Sequence, residues 1–194
     1  MPITQFVFIR HGETEWNRVQ KLQGWRDSSL TALGKHKLAK TNYAGLMKYL
    51  AQYHSLPCAS ALYSSDLGRA MASARLIANR TGHHVISEPR LRERNLGNLE
   101  SRLPPHIPSA YQHRFEHPLG NRFDVECCSA FERRVLAWLE TIAARHPNQT
   151  VWVVSHGEWL RTARNLLEGR EGWRLGNGIP ANGEPILIKM QSAQ

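Results

Sequence analysis

Cysteine is scarce in this sequence: Cys58 and the adjacent Cys127 and Cys128 are the three present. They follow neither a C-x-x-C nor a zinc-type spacing, and any single disulfide would leave one over, so reduced, mostly buried thiols are expected. Apolar runs long enough to cross a membrane are also missing, which excludes a spanning helix. The first residues, Met1-Pro2-Ile3-Thr4-Gln5, lack the basic-then-apolar layout of a secretory signal, and a cytoplasmic location is the expectation. No repeat or linker divides the chain. Its 194 residues suit a single domain, 1–194, with a real hydrophobic core.

Acidic residues are outnumbered, 16 Asp and Glu against 25 Lys and Arg, for a net charge of +9. Such an excess suits either nucleic acid or a small anionic substrate. The basic residues form no long run, being spread through pairs such as Arg133-Arg134, and no zinc-finger or RNA-recognition signature accompanies them. Nucleic acid is therefore not the expected partner. The histidines outside the motifs below, among them His83-His84, His106, His113 and His117, show no H-E-x-x-H or Cys-His pattern, and surface or loop positions are expected for them.

What is there is an alternation of strand-like and helix-like segments. Gln5 to Ile9 is a continuous apolar run that stops at Arg10-His11-Gly12, as a buried strand feeding a loop would. Thr31 can cap a helix running to about Tyr53, with Leu33, Leu38, Leu46, Met47 and Leu50 on its apolar face. Ala59 to Tyr63 reads as a second strand. It leads into Ser64-Ser65-Asp66, where a serine can cap a helix to about Arg80 that Gly82 stops.

His84 to Ser87 is a weaker strand. Arg90 to Ser101 reads as loop, and Pro104, Pro105, Pro108 and Pro118 rule out regular helix across the stretch that follows. Phe131, Val135, Leu139 and Ile142 describe an amphipathic helix from about Ser129 to Arg145. Thr150 to Val154 is a third β-branched run, broken by Ser155-His156-Gly157 and followed by a helix to Leu167; Pro185 to Met190 reads as a last strand. The pattern predicts an α/β fold: a three-layer α/β/α sandwich around a mostly parallel sheet. Trp138, Trp152 and Trp173 are read as core or pocket-wall packing.

In open parallel sheets, ligands gather where loops leave the carboxyl ends of the strands. Three polar clusters stand there: Arg10-His11-Gly12-Glu13-Thr14, Ser64-Ser65-Asp66 with Arg69 a helical turn on, and Ser155-His156-Gly157-Glu158. Two histidines and two arginines converging on one pocket suit a phosphate dianion, since guanidinium forks bind phosphoryl oxygens and glycines admit backbone N–H groups. They do not suit a hard metal. A neutral imidazole can attack phosphorus in line while a second imidazolium stabilises charge on the equatorial oxygens.

The run Phe8-Ile9-Arg10-His11-Gly12-Glu13-Thr14-Glu15-Trp16-Asn17 resembles the signature of the histidine phosphatase superfamily, which includes cofactor-dependent phosphoglycerate mutases and many small-molecule phosphatases. Leu22 to Gly34, Ser64 to Ala70, Leu91 to Gly97 and Val154 to Gly157 continue the resemblance across most of the chain. It implies a phosphoglycerate mutase-like fold and a phosphohistidine intermediate, with no metal and no cofactor. It further implies His11 as nucleophile, Arg10, Asn17, Arg69 and His156 around the phosphoryl group, Glu93 as general acid, and Gln23 and Gly24 beside the substrate. Arg90, Arg92 and Arg94 surround Glu93 and offer it a duller role in a surface charge cluster.

Three stretches depart from the family pattern. These are Asn98-Leu99-Glu100-Ser101, the segment Asp124-Val125-Glu126-Cys127, in which only Glu126 matches, and Met71-Ala72-Ser73-Ala74. They bear on the substrate and leave its identity open. The stretch from Leu99 to Glu126 is brief and proline-rich where mutases carry longer covering segments, so a phosphatase acting on a small phosphorylated molecule is expected ahead of a mutase. A catalytically silent phosphoprotein-binding module is the third reading.

Overall fold

The alternating faces of one strand divide the molecule into layers. In the computed structural model, which describes residues 2–53, 56–118 and 122–191, β1 spans Ile3–Arg10. Successive side chains of a strand point to opposite faces. Phe6 and Phe8 accordingly join one core, and Val7 and Ile9 the other. β2 (Cys58–Ser64), β3 (His84–Ser87), β4 (Thr150–Ser155) and β5 (Pro185–Gln191) complete a five-stranded sheet in the order β3-β2-β4-β1-β5. All neighbours run parallel except β5, which is antiparallel to β1. The sheet flanked by helices on both faces is the predicted α/β architecture.

The Phe6 face packs on α6 (Cys128–Arg145) and α7 (Gly157–Leu167) through Phe131, Val135, Trp138, Leu139, Trp159 and Leu160. Trp138 makes tilted or edge contacts with Phe6, Tyr63 and Trp159; truncating such a side chain to Ala costs about 3–5 kcal/mol. The Val7 face packs on α2 (Ala32–Lys40), α3 (Tyr43–Tyr53) and α4 (Gly68–Thr81) through Leu38, Tyr43, Leu50, Ala74 and Ile77. The one-turn helices α1 (Glu15–Arg18) and α5 (Ser109–Gln112) lie in the connections. A third, small cluster of Leu96, Leu99, Tyr111, Val125 and Cys128 sits under the proline-rich segment.

Several expectations are corrected. The helix expected from Thr31 to Tyr53 is two helices: Thr41 is extended (φ −61°, ψ 130°), and Asn42 Oδ1 accepts the Gly45 N–H at 2.9 Å, so a side chain competes with the backbone and restarts the chain. Neither serine of Ser64-Ser65 caps α4; Leu67 precedes it without a side-chain cap. Asp27 reaches across to accept the N–H groups of Gly68 (2.5 Å) and Arg69 (3.2 Å) instead. Pro108 does not prevent helix, because at a helix start its missing N–H is not needed, and α5 follows it directly. His83 does lie in a loop, between α4 and β3, where it is buried against Trp152. Of the free cysteines only Cys128 is buried, Cys58 and Cys127 being half-buried.

Candidate functional site

β1 and β4 are parallel neighbours with Arg10 opposite Ser155, and the His11 N–H continues the ladder onto the Ser155 carbonyl (3.0 Å). The Ser65 N–H does the same on the Val154 carbonyl (3.0 Å). The three predicted clusters therefore leave the sheet side by side. They open onto a pocket of about 280 Å³ lined by Arg10, His11, Asn17, Gln23, Gly24, Arg69 and Glu93 among others. Seven of the eight residues singled out in the sequence thus line one cavity.

The eighth, His156, is fully buried behind it, its ring 5.1 Å from that of His11. His156 Nε2 is 2.8 Å from Ser65 Oγ, and its Nδ1 has no partner in the structure.

His11 Nδ1 lies 2.7 Å from the Gly12 carbonyl, an acceptor. The bond places the proton on Nδ1 and leaves Nε2 as the unprotonated nitrogen. Arg69 Nε points at its lone pair from 3.3 Å. Burial, then the Arg69 and Arg10 guanidinium groups, hold the His11 pKa well below its ordinary value. The same causes, with His11 added, lower that of His156. His11 is neutral at physiological pH by construction of the site.

Arg69 is buried, and its fork is spent on the inner wall: Nη1 donates to the Arg26 carbonyl (2.7 Å) and Asp27 Oδ1 (2.9 Å), Nη2 to the Gly24 carbonyl (2.8 Å). Gly24 has φ +55°, a conformation that favours glycine, and a Cβ there would displace the Glu100 carboxylate, whose Oε1 it would meet at 2.3 Å. Asn17 closes a capping box with Thr14. Gln23 Nε2 donates to Thr14 Oγ1 (2.9 Å), leaving its buried Oε1 without a partner. Arg10 Nη1 donates to the Pro180 carbonyl (3.1 Å), and its buried Nε is unpaired.

Glu93 stands across the pocket and not in a surface charge cluster. Its three arginine neighbours have other carboxylates: Arg90 pairs with Glu88, Arg92 with Asp66 and Arg94 with Glu158. Its own oxygens accept N–H groups from Arg94 (3.0 Å), Glu158 (3.1 Å) and Trp159 (3.1 Å), the last two in the first turn of α7. Those bonds favour the carboxylate. Burial, followed by the charge of Glu158, outweighs them and raises the Glu93 pKa.

The outer wall holds residues that the sequence left unassigned: Gln20, Lys21, Leu22, Leu96, Tyr111, Arg114, Glu158 and Ile179. Glu158 is buried, and its Oε1 accepts Arg114 Nε (2.6 Å) and the Tyr111 hydroxyl (3.2 Å). Burial alone would push its pKa up, yet Arg114, Arg161 and Arg94 together hold it down. Glu158 had a signal, as an acid directly after the Ser155-His156-Gly157 turn. Tyr111 and Arg114, in a segment without periodicity, had none. Among the described residues no three His, Cys, Asp or Glu side chains cluster as metal ligands, and no helix is long and apolar enough to cross a membrane.

The family description "Histidine phosphatase superfamily (branch 1)" matches residues 6–192. A "probable phosphoglycerate mutase GpmB" from Escherichia coli O1:K1 / APEC is 41% identical over 174 residues, 87% of this chain and 77% of that protein. One of the same name from Serratia proteamaculans (strain 568) is 42% identical over 99 residues; the match spans 51% of this chain and only 42% of that relative's length. The solved structure of Bacillus stearothermophilus YhfR superposes with a TM-score of 0.77 at 28% identity, covering 95% of this chain and 90% of that one.

Proposed function

This chain belongs to the histidine phosphatase superfamily, and we propose that within it the protein is a metal-independent phosphohydrolase that passes the phosphoryl group of a small monoester through His11 to water. The observation that carries this reading is the fixed tautomer of His11. Its Nδ1 is engaged on Gly12, and its Nε2 faces a pocket that also holds Arg69 and Glu93.

In the first step Nε2 attacks phosphorus and the ester P–O bond breaks in line. Arg69 Nε gives up its bond to Nε2 and donates to a phosphoryl oxygen instead. Arg10, Asn17 and His156 surround the remaining oxygens, while Gln23 and Gly24 border the alcohol. The leaving oxygen takes the proton that the raised pKa of Glu93 keeps on its carboxyl. In the second step the Glu93 carboxylate accepts a proton from water as water attacks phosphohistidine, restoring both residues. Membership supports a phosphatase or a mutase in equal measure; the short wall between Leu99 and Glu126, whose described residues form only single turns, supports the hydrolase.

The second reading, a phosphoglycerate mutase, is favoured by the names of the relatives. Incubation with 3-phosphoglycerate and a bisphosphoglycerate primer separates the two: phosphate release is expected, and isomerisation much faster than release would overturn the choice. Turnover of an aryl phosphate, persisting in chelators and blocked by vanadate, is expected to vanish in His11→Ala, by about 10⁴-fold or more. An active His11→Ala enzyme would sink the mechanism. A wild-type protein with no turnover on any ester would point to the phosphoprotein-binding module.

A further inference from the structure

The loop that carries Glu93 is gripped from behind by a guanidinium that reaches three of its carbonyls. It has a single 3₁₀ turn, Pro89–Leu91, and then lacks regular structure as far as Leu96, so its carbonyls need partners from elsewhere. Arg134 on α6 reaches three of them: Nη1 donates to the carbonyls of Arg90 (2.8 Å) and Arg92 (2.9 Å), and Nη2 to that of Glu93 (3.3 Å), while Trp159 Nε1 shares the Arg90 carbonyl (2.9 Å), Ser155 Oγ donates to that of Leu91 (2.8 Å) and Trp25 Nε1 shares that of Glu93 (2.8 Å).

The same guanidinium closes a two-bond fork on Glu126, Nε to Oε1 at 3.0 Å and Nη2 to Oε2 at 2.8 Å. Glu126 Oε2 in turn accepts the Asn95 N–H (3.1 Å), and the Glu126 carbonyl accepts Arg94 Nε (2.7 Å). Residues 90 to 95 are thereby bound along their backbone to one Arg–Glu pair. Only arginine offers five donors in a rigid plane able to serve three carbonyls and a carboxylate together. Its sequence neighbour Arg133 is exposed.

We propose that Arg134, through its fork on Glu126 and its bonds to the 90–93 backbone, is a positioning residue for proton transfer by Glu93. The inference rests on the reading of Glu93 as general acid. It adds a second hold on that carboxyl: the first turn of α7 fixes its oxygens from the front, and Arg134 fixes the peptide that bears it from the back. Proton transfer to a leaving oxygen demands hydrogen-bond reach, and a misplacement of about 1 Å lowers rate by about 10²-fold. Loosening the backbone should therefore slow esters that need the proton and spare those that do not.

The test compares Arg134→Gln, Arg134→Lys and Glu93→Gln on phenyl phosphate, whose leaving group needs protonation, and on 2,4-dinitrophenyl phosphate, whose leaving group does not. Each Arg134 variant is expected to lose about 10- to 100-fold in kcat/KM on phenyl phosphate, with little change on the dinitrophenyl ester and unchanged inhibition by vanadate. Arg134→Gln/Glu93→Gln should be no slower on phenyl phosphate than Glu93→Gln alone. If the uncharged variant does not fold, Arg134→Lys, which keeps the cation and loses the fork, carries the comparison. Equal losses on both esters, no loss on either, or additive losses in the double variant would overturn the positioning role. A Glu93→Gln enzyme that itself loses equally on both esters would remove Glu93 as the acid, and the proposal with it.

Discussion

The inner end of the pocket and its outer wall are built by different means. His11 and His156 follow the carboxyl ends of two hydrogen-bonded parallel strands, and Arg69 stands in the first turn of a fourteen-residue helix with its guanidinium bonded to Arg26, Asp27 and Gly24. The outer wall rests on 3₁₀ turns at Gly97–Leu99 and Pro104–His106, the one-turn α5, and a segment where Ser101, Phe123 and Asp124 have positive φ. Such backbone needs external support. Here it comes from the small Leu96–Tyr111–Val125 cluster and from buried Glu158, which holds Tyr111 and Arg114. On the proposed mechanism the difference separates two tasks: the rigid end would set what is transferred, and the tethered wall which alcohol carries it in.

The sharpest test of that division lies at the rigid end. Arg69→Gln removes the donor facing Nε2 and should lower kcat/KM by about 10²–10³-fold, by the same factor for every ester whatever its alcohol. Asp27→Asn weakens the carboxylate that both caps α4 and braces Arg69, and should lose less, in the same uniform way. Kinetics on a panel of phosphorylated metabolites reads this directly. A loss confined to some esters would show that the inner end also selects the alcohol.

Legibility in the sequence follows the same boundary. The apolar runs before His11, Ser64 and His156 locate three of the five strands because burial on both faces leaves a continuous signal, and the residues just past them are necessarily neighbours in a parallel sheet. Glu93 came from family resemblance alone; no periodicity surrounds it, and its isolation from Arg90, Arg92 and Arg94 depends on Glu88, Asp66 and Glu158, which a local reading cannot pair with them. The break at Thr41-Asn42 was hidden because apolar spacing carries on across it, while the restart is a side-chain bond. Tyr111 and Arg114 reach the pocket through contact with Glu158, 47 and 44 residues away, a distance that no pattern within the segment encodes.

pH dependence gives the next largest effect and probes the junction of the two regions, since Glu93 belongs to the inner chemistry but is tuned by Glu158 of the wall. The proposed mechanism needs His11 neutral and Glu93 protonated, and the lowered pKa of His11 keeps it neutral to well below 6.5. The raised pKa of Glu93 keeps its proton at a higher pH than the ordinary 4.5 allows. Activity on a poor leaving group should therefore hold between these two limits and decline as pH rises through the Glu93 value. The alkaline decline should be absent in Glu93→Gln and with 2,4-dinitrophenyl phosphate. An alkaline limb that persists unchanged in Glu93→Gln would assign it to another group.

The smallest effect is expected at the wall, where it is the most specific. Tyr111 keeps its phenolic proton, because burial and then Glu158 raise its pKa well above 10, and it serves as a donor to Glu158 alone. Tyr111→Phe deletes that one bond, a loss of about 0.5–1.5 kcal/mol, and leaves the ring in the pocket under Arg114. Generic aryl phosphate turnover should change by less than about threefold, within that energy, because nothing at His11 or Arg69 moves. Arg114→Gln is more severe locally, since it leaves the buried Glu158 carboxylate short of its nearest cation, and it should shift KM for anionic alcohols more than kcat. If both variants instead lowered kcat on every ester alike, the wall would be acting on the reacting groups, and the separation of tasks between the two ends of the pocket would not hold.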